Sequence, residues 1–98
     1  MSDFHKAVLF SIIVRSYDLE EWTWSSSEIL MCAFATKKWD RDHVAGWVVD
    51  PYCAWFNRLD DEQRDVVAEW RRLVDHLGLE GAVKEVHAKY PMDEIHIR

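Results

Sequence analysis

The residues best suited to chemistry in this 98-residue sequence are its histidines, its cysteines and one acidic segment. The histidines are His5, His43, His76, His87 and His96, and the cysteines are Cys32 and Cys53. A zinc site needs about three or four convergent ligands, which short spacings such as C-x-x-C commonly signal. No such spacing occurs. We therefore predict no metal site.

Nucleophilic catalysis has no better support. A serine or cysteine nucleophile needs a neighbouring base that an acid orients. Ser25 is explained by helix capping, and Cys32 and Cys53 lie in apolar stretches typical of buried, unreactive thiols. Neither a G-x-S-x-G turn nor a glycine-rich phosphate loop is present. The carboxylates of segment 60–65 belong at a helix start for electrostatic reasons. We predict no catalytic residue and no cofactor, and we expect that the chain is not an enzyme.

The elements that must position these residues are predicted to be helices, because glycine and proline are scarce. The predicted helices run from a cap at Ser2 or Asp3 to about Tyr17, from Ser25 to near Lys38 or Trp39, from Asp40 or Asp42 to Leu59, from Asp60 to Leu77, and from Ala82 to Tyr90. Pro51 divides the third of these into two consecutive helices, because proline breaks a helix interior but fits a first turn. We predict an all-α fold, a compact bundle of about five short helices.

Two helix starts carry the strongest local signals. Ser25 with Glu28, and Asp60 with Gln63, are capping boxes. The apolar run 29–35 predicts a helix buried on most sides, and so a central one. One apolar stripe of the fourth helix consists of Val66, Val67, Trp70, Leu73, Val74 and Leu77. Gly78 is expected to end that helix in the left-handed conformation.

The first segment also fits an alternative. A helical face would contain Phe4, Ala7, Val8, Ser11 and Ile12, whereas a strand would alternate Val8, Phe10, Ile12 and Val14. The strand could pair with residues 21–24 as an N-terminal hairpin packed on helices, which would make the fold α+β. Turn signals are missing between the two stretches, and this favours the helix.

The length of the chain is enough for one hydrophobic core, so we predict a single domain over residues 1–98. Residues 92–98 alternate in polarity and are expected to be a loose tail or a short strand. The apolar run 7–14 is too short to cross a bilayer and resembles no targeting signal. We expect a cytoplasmic protein without a membrane partner.

The formal net charge of −6 disfavours direct nucleic-acid binding. The longest basic cluster, Lys37-Lys38 with Arg41, is interrupted by Asp40 and followed by Asp42. An acidic surface instead suits a protein partner whose own surface is basic.

The tryptophans are the unusual feature of the composition. Trp47, Trp55 and Trp70 lie on apolar stripes and are predicted to pack in the core. Trp22, Trp24 and Trp39 lie in polar contexts at element ends, where exposed aromatic residues often anchor a partner. The predicted partner-binding residues are Trp22, Trp24, Trp39, Asp18, Glu20, Glu21, Asp61, Glu62 and Asp65.

These properties favour a small acidic protein-binding module that acts by occluding a partner. Phage-encoded anti-defence (anti-CRISPR) inhibitors, immunity proteins and antitoxins are also short, acidic, single-domain chains without catalytic motifs. This chain resembles them in composition alone. The alternative is a homodimeric structural or assembly protein, because the apolar content is high for the size. A small metal-binding protein or enzyme ranks below both.

Overall fold

The computed structural model describes residues 3–18, 24–38 and 51–90. All regular structure in these three ranges is helical, which confirms the all-α prediction. The helices are α1 (Asp3–Ser16), α2 (Ser26–Thr36), α3 (Pro51–Asn57) and α4 (Asp61–Lys89). The helix predicted between Asp40 and Pro51 and the tail at 92–98 lie outside the described residues.

The first segment is the helix α1, so the strand alternative for residues 6–15 is wrong. Apolar side chains surround most of this helix, and Phe10, Ile12 and Ile13 are fully or almost fully buried. Two serines lie inside the same buried surface because their hydroxyls bond within the helix. Ser11 Oγ donates to the carbonyl of Ala7 at 2.9 Å, and Ser16 Oγ donates to that of Ile13 at 2.6 Å.

The second helix begins as predicted, with Ser25 and Glu28 bonded in a capping box. Its residues Ile29 to Ala33 and Ala35 are buried, which confirms α2 as a central element. The helix ends at Thr36 because Lys37 turns into the left-handed region, with φ 62° and ψ 24°.

The long helix α4 also begins as predicted, because Asp60 and Gln63 form a capping box. Gly78 has a positive φ of 77°, as expected, but its ψ of 171° is far from the left-handed helical value of about 47°. The helix resumes at once, whereas the prediction placed the next helix at Ala82. The bundle of five is therefore revised for the described ranges to four helices, of which α4 has two arms, 61–77 and 79–89.

The second arm folds back along the first. Lys89 Nζ lies 3.1 Å from Glu69 Oε1, although the two residues are 20 positions apart. The ring of Tyr90, which follows the second arm, stacks on Phe10 of α1 at a centroid distance of 5.2 Å. A straight helix of 29 residues would measure about 44 Å, longer than the molecule's largest extent of 36 Å.

Trp70 lies at the centre of the core, as predicted, with its ring fully buried. Its indole N–H donates to the hydroxyl of Tyr17 at 3.0 Å, so the one polar atom of the side chain is satisfied. The helices α1, α2 and α4 pack against one another around the apolar cluster that contains this residue.

Basic side chains from elsewhere in the chain close the carboxyl ends of three helices. Lys38 Nζ donates to the carbonyl of Tyr17, just after α1, at 3.3 Å. Arg71 donates to the carbonyl of Ala35 in the last turn of α2 at 3.1 Å. Arg64 does the same at the end of α3. These contacts satisfy carbonyls that a helix leaves without partners and place positive charge at its negative end.

Candidate functional site

The first turn of α4 and the residue that follows it hold the exposed carboxylates that the sequence predicted for partner binding. The side chain of Asp61 is 92% exposed, and Asp65, one turn later, is exposed as well. On the opposite side of this turn Gln63 is buried, and its side-chain amide donates to Ser27 Oγ of α2 at 3.3 Å. The turn is thus attached to the core on one side and acidic on the other.

Arg64 fixes the geometry next to these carboxylates. One guanidinium nitrogen donates to three carbonyls at the end of α3, those of Trp55 at 3.2 Å, Phe56 at 3.1 Å and Leu59 at 2.7 Å. The other terminal nitrogen forms an ion pair with Asp61. Arg64 therefore joins α3 to the first turn of α4.

The ring of Phe56 lies beside the same guanidinium, with Arg64 Cζ 5.9 Å from its centroid. This is within the range of a cation–π contact, and 54% of the Phe56 residue surface remains exposed. We call Phe56, Asp61, Arg64 and Asp65 the Arg64 surface. It combines a large exposed aromatic ring with two exposed carboxylates on a rigid support.

Phe56 belongs to the apolar stripe at helical spacing that runs from Trp47 to Leu59 in the sequence, a pattern that predicts an inward-facing residue, but Phe56 is exposed. Trp55 and Phe56 are consecutive, so their side chains point about 100° apart on the helix. Trp55 packs edge-on against Phe34 of α2 at a centroid distance of 4.9 Å. Because Trp55 takes the inward direction, Phe56 faces outward. The adjacency of the two aromatic residues was the signal that could have shown this.

Glu62 differs from the other two predicted acids of this turn. Its side chain is only one-third exposed, and its buried Oε2 contacts Nδ1 of His5 at the start of α1. The contact is a hydrogen bond only when Nδ1 carries a proton. Glu62 therefore joins two helices and presents little charge to a partner.

The remaining predicted residues are not brought together with this turn. Asp18 is exposed beyond the end of α1, and about 18 Å of helix separates Tyr17 from His5, the neighbour of Glu62. Trp24 is half-buried and packs against the core. The other four predicted residues lie outside the described ranges: Glu20, Glu21, Trp22 and Trp39.

The two cysteines have opposite environments. Cys32 is buried as predicted, and burial raises the pKa of its thiol to about 12, which keeps the thiol in its neutral form at ordinary pH. Cys53 is exposed, which makes the prediction of a buried thiol wrong at this position. It falls in the short helix α3, whose inward side is taken by Trp55.

The part of the chain that the structure describes contains neither a metal-binding cluster nor a helix that could cross a membrane. No group of three or more histidine, cysteine, aspartate or glutamate side chains there could hold a metal ion. None of the four helices is long and apolar enough to cross a membrane.

Three further apolar side chains are exposed. Phe4 is 67% exposed, although the sequence placed it on the inward face of α1. Leu77 and Leu79, on either side of Gly78, are 51% and 44% exposed. Leu77 and Leu79 are the members of the apolar stripes of the two arms that lie nearest the bend, where α1 and α2 no longer cover the stripes. Leu77 thus corrects the predicted buried stripe at its last member.

Comparison of the chain with protein-family models, with curated proteins and with solved structures found no match to any of them.

Proposed function

We propose that the protein is a small acidic protein-binding module that occludes a basic surface of its partner. Phage-type anti-defence (anti-CRISPR-like) inhibitors, immunity proteins and antitoxins work in this general way. The observation that carries the proposal is the Arg64 surface, where the half-exposed ring of Phe56 lies beside the Arg64 guanidinium and the same guanidinium pairs with exposed Asp61. Exposed Asp65 follows Arg64 in the same helix.

The two kinds of side chain on this surface have different tasks in binding. Exposed carboxylates attract a basic partner during diffusion and raise the association rate. An aromatic ring supplies most of its affinity when the partner removes it from water, and interface hot spots are enriched in such rings. The net charge of −6 extends the attraction beyond the contact itself.

The rigidity of the support adds to affinity. Arg64 is held by three carbonyls of the α3 end, so neither Phe56 nor Asp61 needs to be ordered when a partner arrives. Binding then loses less conformational entropy than it would with a mobile loop. Trp22, Trp24, Trp39, Asp18, Glu20 and Glu21 remain the proposed second part of the interface, with Glu62 at the edge of the first.

The test begins with capture of a partner by the tagged chain from lysate of its source or target cell. Phe56→Ser and Asp65→Asn alter the Arg64 surface without removing a buried group. Asp75→Asn is the control, because Asp75 is likewise an exposed acid of α4 but lies outside the Arg64 surface, where it pairs with Arg71 at 3.2 Å. We expect Phe56→Ser to raise the dissociation constant of the captured complex by about 30-fold or more, as for a hot-spot aromatic residue.

The salt dependence of the association rate tests the acidic part separately. The rate for the wild-type chain should fall as ionic strength rises, and less so for Asp65→Asn. A partner that binds wild type, Phe56→Ser and Asp65→Asn equally well would show that the interface lies elsewhere. A rate indifferent to salt would remove the steering role of the carboxylates.

A further inference from the structure

Gly78 is the single residue at which the two arms of α4 depart from one continuous helix. The backbone is helical before it and after it, and only its own φ of 77° and ψ of 171° interrupt the pattern. This combination of angles is essentially restricted to glycine. A change at one residue therefore converts the bent helix into a straight one.

Gly81 makes the bend possible by a second, independent requirement. A Cβ placed at Gly81 would lie 2.8 Å from the Cβ of Leu77, closer than real Cβ atoms come. In a continuous helix, residues four positions apart hold their Cβ atoms about 5–6 Å apart. The bend thus brings Leu77 and residue 81 together in a way that tolerates no side chain at 81.

The second arm contributes to the core of its own chain. Ala82 and Val86 of this arm are buried, and Tyr90 stacks on Phe10 of α1. If α4 straightened, these side chains would leave α1 and expose apolar surface on both sides. The second arm of another copy carries the same side chains and therefore fits the surface that this arm leaves.

We propose that Gly78 is a hinge at which α4 opens, so that two copies of this chain exchange their second arms and form a dimer. Every contact of the arm with α1 and the first arm is then kept, but between chains. Leu77 and Leu79, half-exposed beside the hinge, lie where the two straightened helices pass each other. The partner at the hinge is therefore a second copy of this chain.

This inference does not rest on the proposed function. Arg64 and Gly78 are separated by 14 residues of helix, about 21 Å. The exchanged dimer therefore carries two intact Arg64 surfaces. Loss of partner binding and loss of arm exchange are measured by different variants.

The two glycines make the exchange measurable. Alanine at position 78 disfavours the bent conformation and favours a continuous helix, which shifts the equilibrium from bent to straight by about 30-fold or more. A dimer contains two hinges, so its association constant should rise by roughly a thousandfold. Gly81→Ala should act in the same direction through the contact with Leu77. Ala88→Gly, in the exposed part of the second arm, changes helix propensity away from the hinge and is the control.

The readout is the Lys89–Glu69 pair, which a zero-length carbodiimide cross-linker joins as an amide. Equal amounts of ¹⁴N- and ¹⁵N-labelled chains are unfolded, mixed, refolded at about 0.5 mM and cross-linked. Mass spectrometry then shows whether the linked peptides come from one chain or from two. Light scattering gives the mass, and far-UV circular dichroism confirms that each variant is helical.

We expect every dimer to contain cross-links that join a ¹⁴N-labelled chain to a ¹⁵N-labelled one. The dimer should be the minor species in the wild type and in Ala88→Gly, and the major species in Gly78→Ala and Gly81→Ala. The proposal is overturned if the cross-links of the folded variants lie within single chains only, whether those variants are monomers or dimers. If Gly78→Ala does not fold, Gly81→Ala and the wild type decide in the same way.

Discussion

The buried thiol of Cys32 should make the protein lose stability in mild alkali. Burial among apolar side chains raises its pKa from 9.0 to about 12, because the thiolate would lose its hydration. In the unfolded chain the thiol has its ordinary pKa. The stabilising effect of the neutral thiol is therefore complete below about pH 9 and is lost progressively as the pH rises towards 12.

The size of the loss follows from the two pKa values. At pH 10 the unfolded thiol is mostly ionised and the folded one is not, which lowers the free energy of unfolding by about 1.4 kcal/mol relative to pH 8. Alkali acts on more than this one group, so the contribution of the thiol must be isolated by comparison of variants. Cys32→Ala removes the titrating group, and Cys53→Ala removes the exposed thiol and serves as the control.

The assay is urea unfolding followed by circular dichroism at pH 8 and pH 10, under reducing conditions. Between these pH values Cys32→Ala should lose about 1.4 kcal/mol less than the wild type, while Cys53→Ala should follow the wild type. Equal losses in the wild type and Cys32→Ala would refute the reasoning, because the thiol would then be hydrated in the folded chain.

Three further outcomes are expected. Lys37→Gly should raise the free energy of unfolding by about 0.5 kcal/mol in thermal unfolding. Glycine removes the cost of the left-handed φ, and this gain slightly exceeds the cost of the extra conformational entropy of the unfolded chain. Lys37→Ala is the control and should show no gain. Arg64→Met should cost about 2–3 kcal/mol in urea unfolding, since three carbonyls lose a charged donor, whereas the same change at exposed Arg72 should cost under about 0.5 kcal/mol. Iodoacetamide should modify Cys53 in the folded protein and reach Cys32 only in denaturant, as peptide mapping would show; rapid labelling of both would contradict the burial.

The sequence-based predictions that succeeded depend on short-range physics. A capping box involves residues three positions apart, so Ser25–Glu28 and Asp60–Gln63 could be found without knowledge of the fold. The continuous apolar run in α2 allows only burial on most sides. Trp70 belongs to a stripe long enough to be recognised from its period.

The errors arise where the outcome depends on distant residues. The periodicity of α4 includes Leu77, but burial along the stripe ends where α1 and α2 no longer cover it. Phe4 and Phe56 lie near the ends of their helices, and no local sequence pattern shows whether another element covers them. Gly78 was expected to turn the chain out of a helix. Whether a helix resumes at the next residue depends on the fit of the second arm against Phe10, a contact about 80 positions distant.

The site itself was predicted in part. Asp61 could be expected at a helix start because acidic residues favour the first turn of a helix, and Asp65 lies one turn later on the same face. The arrangement of Arg64 with Phe56 could not be predicted, because it depends on how α3 ends against α4.

The closed carboxyl ends of the helices have a consequence for the order in which the chain becomes stable during synthesis. The end of α1 is held by Lys38, the end of α2 by Arg71 and the end of α3 by Arg64. Each helix is thus completed by a residue that the ribosome adds later, and the last of these is Arg71. Tyr90 must still follow before Phe10 is covered. The helices that emerge first should therefore remain loose until Tyr90 has left the exit tunnel, and stability should then appear in one step.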